Sequence, residues 1–540
     1  MKESKTDVLI AGGSIGGCAA ALAAARSGHR VILTEECDWI GGQLTSQAVP
    51  PDEHGWIERF GCTATYRQFR DGVRNYYRRN YPLTDAARGN PFLNPGNGWV
   101  SPLCHEPRVA LAIINAMLAP FVSNGSLTIL LNHRLVAADV EGDKVRAVTL
   151  LDKQTGDEIT IAADYFLDAT ELGDLLPLTG TEYVSGAEAQ SQTGEPSAPV
   201  QAQPQNVQAF SMCFAMEFRE GENHTIERPA NYDFWRDYAP QLSPPWPGRL
   251  LSWEITHPRT MLPHRYHFDP HREPSTAFAG LWTYRRIIDR ANFAPGFYAG
   301  DVSLMNVPML DYLLGDISDA SEADRALHIR QAKELSLSFF YWLQTEAPRP
   351  DGGAGFPGLR LRGDLTGSTD GLAKMPYIRE SRRIKAEFTV VEQHVAEALR
   401  PGQTYAQPYR DSVGIGYYRI DLHPSTGGDN YIDVGSLPFQ IPLSALIPQR
   451  MENLLPACKN IGTTHITNGC YRLHPVEWNI GEAAGSVAAH CLEQKTAPRQ
   501  ISRNESKLAD IQRRLVNQGV ELTWPEDLVL AEGDPHAHAK

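Results

Sequence analysis

The sequence has no apolar run long enough to cross a membrane. The longest, Val109 to Val122, falls short of the roughly 20 residues that a transmembrane helix needs. The start, Met1-Lys-Glu-Ser-Lys-Thr, enters an apolar strand at once and lacks the layout of a signal peptide. None of the eight cysteines form a Cys-x-x-Cys pair, which argues against a zinc module, a dithiol redox motif and a disulfide scaffold. Internal repeats are absent. Basic residues are the minority, 50 Lys and Arg against 64 Asp and Glu, for a net charge of −14. Such a surface repels phosphate backbones, so nucleic acid is not the expected partner. These absences leave a cytoplasmic protein of a reducing compartment, off the membrane, with its thiols mostly buried. Its 540 residues suit about two to four domains, and 42% hydrophobic residues suffice for a large core.

What is present begins at residue 7. Asp7-Val-Leu-Ile-Ala11 is a short apolar run that reads as a buried parallel strand. Gly12-Gly-Ser-Ile-Gly-Gly17 follows, and then Cys18 to Ser27, nearly all alanine and strongly helix-forming. Gly28 closes the helix, Arg30-Val-Ile-Leu-Thr34 forms the next strand, and Glu35-Glu36 stands at its end. This order predicts a dinucleotide site. Gly12 permits a tight turn, the small Ser14 lets backbone approach a pyrophosphate, and Gly16 and Gly17 open a helix whose free N–H groups favour phosphate. Ser14 replaces the glycine usual at that place, and its hydroxyl could add a hydrogen bond. Glu35 or Glu36 would bind ribose hydroxyls, which favours an unphosphorylated ribose as in FAD or NAD.

Beyond the second strand, Gly41-Gly42-Gln43 places paired glycines where NAD dehydrogenases usually run into another helix. The segment resembles the second phosphate- and flavin-contacting loop of glutathione-reductase-type FAD proteins. Ala162 to Asp174, with Asp168-Ala169-Thr170-Glu171 at its turn, resembles the strand and turn that return to FAD. Asn453 to Gly462, followed by Gly481-Glu-Ala-Ala-Gly485, looks like the closing flavin-binding segment, and Pro376 to Ile384 resembles an arginine-rich signature in the substrate half of one family. Together these resemble the FAD-dependent oxidoreductase family often labelled xanthan-lyase-related, over roughly residues 5 to 495. The resemblance implies a Rossmann-like α/β FAD-binding domain of glutathione-reductase type with an inserted α+β substrate domain. It implies FAD contacts at Gly41, Gly42, Gln43, Val136 (near adenine), Ala169, Thr170, Asn460, Gly481 and Ala484. The expected domains are 1–184 (FAD-binding, first part), 185–435 (substrate or cap), 436–495 (FAD-binding, closing segment) and 496–540 (helical extension and a frayed tail).

Several shorter elements are also expected. Leu127 to Leu131, Arg134 to Val140 and Lys144 to Leu151 read as strands, the last two a hairpin around Glu141-Gly-Asp143. Tyr66 to Tyr81 reads as a helix, either solvated with an aromatic packing face or a wall over the flavin. Ser185 to Gln208 reads as a loop, Phe210 to Phe218 as a strand, Ser321 to Glu346 as a capped helix, and Ser502 to Asn517 as another helix.

A second Gly-x-Gly-x-x-Gly unit for NAD(P)H is missing, as is the tryptophan motif of flavin halogenases. The flavin is then most simply reduced by an organic substrate bound in the same chain and reoxidised by O₂ or an external acceptor. The loop Thr464 to Asn479 supplies the candidate chemistry. His474 is the first choice for general base because an ordinary histidine titrates near neutrality. Glu477 would orient it or act instead, and Arg472 would hold a substrate anion or the reduced flavin's charge. A satisfied loop histidine and a simple Arg472–Glu477 pair are the alternatives. Arg379 and Arg382, with Arg383, suit an anionic substrate or a structural ion-pair cluster. Asp421 and His423 point either into the site or along a loop. His264, His267 and His271 sit among prolines without a fixed face, so no metal is expected. A flavin monooxygenase or a non-catalytic FAD-binding subunit remain the other readings, and homo-oligomerisation is left open.

Overall fold

The computed structural model describes residues 2–271 and 280–533. The tail read as frayed lies, from residue 534 onward, outside the described residues. Strand β1 (Lys2–Ala11) leads through helix α1 (Ile15–Arg26) into β2 (Val31–Glu35), with β1 and β2 parallel and Val8 opposite Val31. This is the strand–glycine turn–helix–strand unit that the first forty residues predict. The helix starts at Ile15, earlier than the alanine run, because Ser14 caps it: its side chain accepts from the Gly17 N–H.

A seven-stranded mixed sheet grows from this unit. β3 (Leu127–Leu131) pairs parallel with β2, while β4 (His133–Glu141), β5 (Lys144–Asp152) and β6 (Glu158–Asp168) form an antiparallel meander whose last strand lies parallel to β1. Chain residues Leu454–Pro456 return, 286 residues after Asp168, to pair parallel with the end of β6. A mixed α/β architecture with parallel central strands results, consistent with a Rossmann-like fold. Val8, Ile10, Leu33 and Leu167 are fully or almost fully buried, as strands covered on both faces require.

A four-stranded antiparallel sheet forms separately from β7 (Phe214–Phe218), β8 (Arg286–Ile288), β9 (Val302–Met305) and β10 (Leu359–Leu361). Its core includes Phe214, Met216, Phe339 and Phe340. Phe339 and Phe340 come from a long helix, Glu322–Thr345, whose N-terminus the Ser321 side chain caps as its sequence suggests. The single strand expected over 210–218 is instead two short pieces, Phe210–Ser211 and Phe214–Phe218, paired to different partners. Likewise the helix expected from Ser502 begins at Glu505, because the Asn504 side chain accepts from Lys507 N–H and caps it there. The Ala64–Asn80 helix buries Tyr66, Phe69, Val73 and Tyr77, with Trp478 against the first two rings. No described helix is long and apolar enough to cross a membrane.

Helix α1 is crossed at very short range by the helix His474–Gln494, and both are buried along nearly their whole length. Glycine makes this possible: a Cβ at Gly481 would sit 2.0 Å from the Gly16 carbonyl oxygen, and one at Gly485 2.4 Å from that of Ala20. Gly481→Ala is therefore expected to destabilise the protein by about 3 kcal/mol, the upper range for overpacking, because backbone and not a mobile side chain must yield. Gly89, which has open space around it, is the control. Urea denaturation of both alanine variants checks this; equal midpoints would refute it.

Candidate active site

The turn after β1 builds the first half of the site. Gly12 has φ +95°, and a Cβ there would meet the Ala169 carbonyl oxygen at 2.3 Å, so the first turn and the turn ending β6 fit only through glycine. Ala169 N–H donates to the Ala11 carbonyl (2.7 Å), and Asp168 accepts from both the N–H and hydroxyl of Thr170. Burial pushes Asp168 up to about 7. Gly41, at φ +101°, returns the chain so that its N–H donates to the Gly13 carbonyl at 2.6 Å. A Cβ at Gly42 would touch Ser14 and Glu171. Glu35 accepts from Gly13 N–H (2.8 Å) and Cys37 N–H (2.9 Å), yet burial pushes it up to about 8.

These turns border a cavity of about 380 Å³, whose lining includes Gly12, Glu35, Glu36, Gly42, Val136 and Thr170. Burial also raises Glu36. Gln47, whose carboxamide oxygen is buried without a partner, faces the same space. Not all the expected contact residues line it. Ser14 is turned to capping. Asn460 ties strand ends together, donating to the Asp168 carbonyl (3.1 Å) and accepting from Cys458 N–H. Gly481 packs on Gly16, and Ala484 is wholly buried in the same helix. Gln43 donates to the Arg472 carbonyl (3.1 Å) and to Glu477 (2.5 Å).

Glu477 is therefore not placed to orient His474. Its other oxygen accepts from Gly16 N–H (3.2 Å), at the positive end of α1, and Lys459 lies 3.9 Å away. Lys459 is fully buried and ion-paired with Glu171. Burial, reinforced by the like charge of Glu477, raises Glu171. His474 itself accepts the Asp52 N–H at Nδ1 (3.0 Å), so its proton resides on Nε2, which has no partner. Burial pushes it down to about 4. Its stabilising neutral form is complete above the ordinary histidine range and is lost as pH falls towards 4. His474→Asn, which keeps an acceptor for Asp52, is expected to flatten the loss of stability between pH 6.5 and 4 by up to about 3 kcal/mol. His54 and His105, likewise pushed to about 4, supply slope that remains. Denaturant midpoints across that window measure the difference; parallel curves would refute it.

A second cavity, about 120 Å³, lies beyond the first. Arg285, Arg379, Arg472, Tyr377, Tyr418 and His423 are among its walls. The two cavities share a partition. Along the extended segment after Met375, Pro376 and Ile378 face the first cavity while Tyr377 and Arg379 face the second. Arg382 lines the first, held by Asp174 and Asp319, so the two candidate substrate arginines are on opposite sides. Arg383 is buried between Glu188 and Glu380. Within the second cavity His423 Nδ1 lies 2.6 Å from Asp311. Asp311 also accepts from the Ser211 hydroxyl (2.8 Å) and pairs with Arg379 (3.1 Å). Burial alone would raise Asp311, but Arg379 and His423 hold it below the usual carboxylate range.

His423 stood in the sequence as an undecided loop residue, and Asp311, Arg285 and Lys459 carried no local signal. All eight cysteines are free and buried. His264 packs edge-on against His257 and Tyr266. Among the described residues no group of three or more His, Cys, Asp or Glu is placed to hold a metal ion.

The profile of the family described as FAD dependent oxidoreductase matches residues 7–515. The chain belongs to this family. The protein is thus an FAD-dependent oxidoreductase, and its residues fit the cofactor: Gly12 and Gly42, which leave no room for a Cβ, the acids at the end of β2 and an unpartnered Gln47 oxygen border one cavity. No curated protein matches the flavoprotein. Among solved structures it is similar to L-proline dehydrogenase from P. horikoshii (15% identity, TM-score 0.18, 34% of this chain and 24% of that one). It is also similar to the flavin-dependent monooxygenase PieE (14%, 0.29, 72% and 52%). A third is a geranylgeranyl bacteriochlorophyll reductase-like protein from Thermoplasma acidophilum (10%, 0.29, 96% and 85%). The oxidoreductase spans 24%, 45% and 49% of the lengths of three such structures, so the family match alone carries the assignment.

Proposed function

We propose that this flavoprotein dehydrogenates a small polar organic molecule held in the second cavity, beside FAD held in the first. The observation that carries the reading is the shared partition: one extended segment, 375–379, presents alternate residues to the two cavities. When bound, FAD supplies the hydride acceptor. The chain's own residues provide the rest. Gly12, Gly16, Gly17, Gly41 and Gly42 bring backbone close to the pyrophosphate, and Glu35 and Glu36 meet the ribose. Val136 lies at the adenine end, and Ala169 and Thr170 fix the returning turn.

His423 is the proton acceptor in this reading. Ionised Asp311 holds the Nδ1–H, which leaves Nε2 to take a proton from a substrate O–H or N–H as the adjacent C–H is lost. His474, with its Nδ1 occupied and its basicity suppressed, is a poorer base; it positions the Asp52 backbone. Glu477 and Lys459 set the charge beside the α1 N-terminus, and Arg472 and Arg379 bind substrate. The FAD-binding parts are 1–184 and 436–495 in a glutathione-reductase-type arrangement, with a substrate domain, 185–435, between them. The return of Leu454–Pro456 to β6 supports this division. Reoxidation falls to O₂ or an external acceptor.

The test is a visible spectrum of purified protein before and after acid precipitation, followed by anaerobic mixing with a metabolite pool. Flavin bands, FAD released to the supernatant and bleaching by a small metabolite are expected. A flavoprotein that no metabolite bleaches, but that reduced pyridine nucleotide reduces, would overturn the reading.

A further inference from the structure

We propose that the second cavity selects an organic carboxylate, and that its anchors are the guanidinium groups of Arg285, Arg379 and Arg472. The inference rests on reading this cavity as the substrate's. Five arginines line it, adding Arg259 and Arg419 to these three, whereas the acids are Asp52, Asp421 and Asp433, with Asp311 behind. Five guanidinium groups thus meet four carboxylates, in a chain whose overall charge is −14. The local excess is opposite in sign to the molecule as a whole.

The hydrogen bonds locate that excess. Arg285 commits one terminal nitrogen to Asp52 (3.0 Å). Arg472 commits one to the Asp421 carbonyl (2.9 Å) and carboxylate (3.3 Å). Arg379 commits both terminal nitrogens, to Ala209, Ser211, Asn306 and Asp311. In all three the Nε is buried without a partner. Guanidinium is costly to bury unless its N–H groups find acceptors, and these side chains are 11%, 1% and 3% exposed. An acceptor that arrives with its own negative charge satisfies both deficits.

Its shape follows from the same walls. The Tyr284 ring lies 5.3 Å from the Arg285 guanidinium carbon, and Tyr377 5.2 Å from that of Arg379. Held against these rings, the two guanidinium groups have fixed orientations: Arg285, with Nε and one terminal nitrogen uncommitted, suits a planar two-oxygen acceptor, and Arg379 adds a single Nε–H. About 120 Å³ of space admits a compact acid.

Calorimetric titration of the holoprotein tests this with acetate and benzoate, their neutral amides acetamide and benzamide, and inorganic phosphate. Each carboxylate is expected to bind at least about tenfold tighter than its amide and than phosphate, because a buried charged partner is lost in the amide. Arg285→Gln and Arg472→Gln are each expected to weaken carboxylate binding about tenfold while the flavin absorbance stays unchanged. Acids and amides binding alike, phosphate matching acetate, or no binding by any probe would overturn the proposal. The acid–amide comparison uses the native chain, so it stands even if a variant fails to fold. A protein that binds carboxylates but holds no FAD would instead sink the catalytic reading alone.

Discussion

His423→Gln is expected to slow flavin reduction by a bleaching metabolite about 10²- to 10⁴-fold, the usual worth of a positioned general base, with FAD content unchanged. His474→Asn is expected to slow it by less than about tenfold. The contrast follows from what each imidazole already holds. His474 spends Nδ1 on Asp52 N–H, so its remaining nitrogen carries a proton, and burial pushes it to about 4. His423 gives Nδ1–H to a carboxylate that Arg379 and Ser211 hold in place, 2.6 Å away. Asp311 is a positioning residue, so its variant must report more than a loss of rate. Asp311→Asn is expected to slow flavin reduction and leave reoxidation by O₂ untouched, whereas a distorted fold would impair both. Stopped-flow absorbance separates the two half-reactions. Normal reduction by His423→Gln together with a collapse in His474→Asn would return the base to the position that the sequence first suggested.

The dinucleotide unit was legible because its signals are local. Apolar strand, glycine turn, alanine helix and terminal acid follow one another within thirty residues, and each has one physical use. The helix crossing was harder to read. Gly481 looks the same in sequence whether it faces a flavin or a helix, and here it faces the Gly16 backbone. Arg379 and Arg382 read as one cluster, for an anionic substrate or for structural ion pairs, because they are neighbours in the chain. In an extended segment, however, an odd spacing sends side chains to opposite faces, and the structure puts them on different cavities. The strand period could have revealed this. No period could have paired His423 with Asp311, which lie 112 positions apart and meet only through tertiary packing.

Gly12→Ala is expected to weaken FAD binding by at least about 100-fold and to lower stability as well. Two costs fall on one atom. A φ of +95° is strained for any residue with a Cβ, at roughly 1–2 kcal/mol. That Cβ would also stand 2.3 Å from the Ala169 oxygen and 2.5 Å from the Thr170 nitrogen. Both are backbone atoms, so relief requires moving the end of β6 away from β1. That movement separates Gly12 from Thr170, which border the cofactor cavity together, and breaks the 2.7 Å hydrogen bond from Ala169 to Ala11. Gly13→Ala is the comparison. Its Cβ would meet Ile40 Cγ2 at 2.9 Å and Glu35 Cβ and Oε2 at 3.1 Å, side-chain contacts that shifts of a few tenths of an ångström relieve, and its φ is not positive. A loss of less than about tenfold is expected there. Titration of apoprotein with FAD, followed by quenching of flavin fluorescence, ranks the two. If Gly12→Ala binds as tightly as Gly13→Ala, then the close approach of the two turns is not what shapes the cofactor site, and the cavity beside them would have to be reassigned.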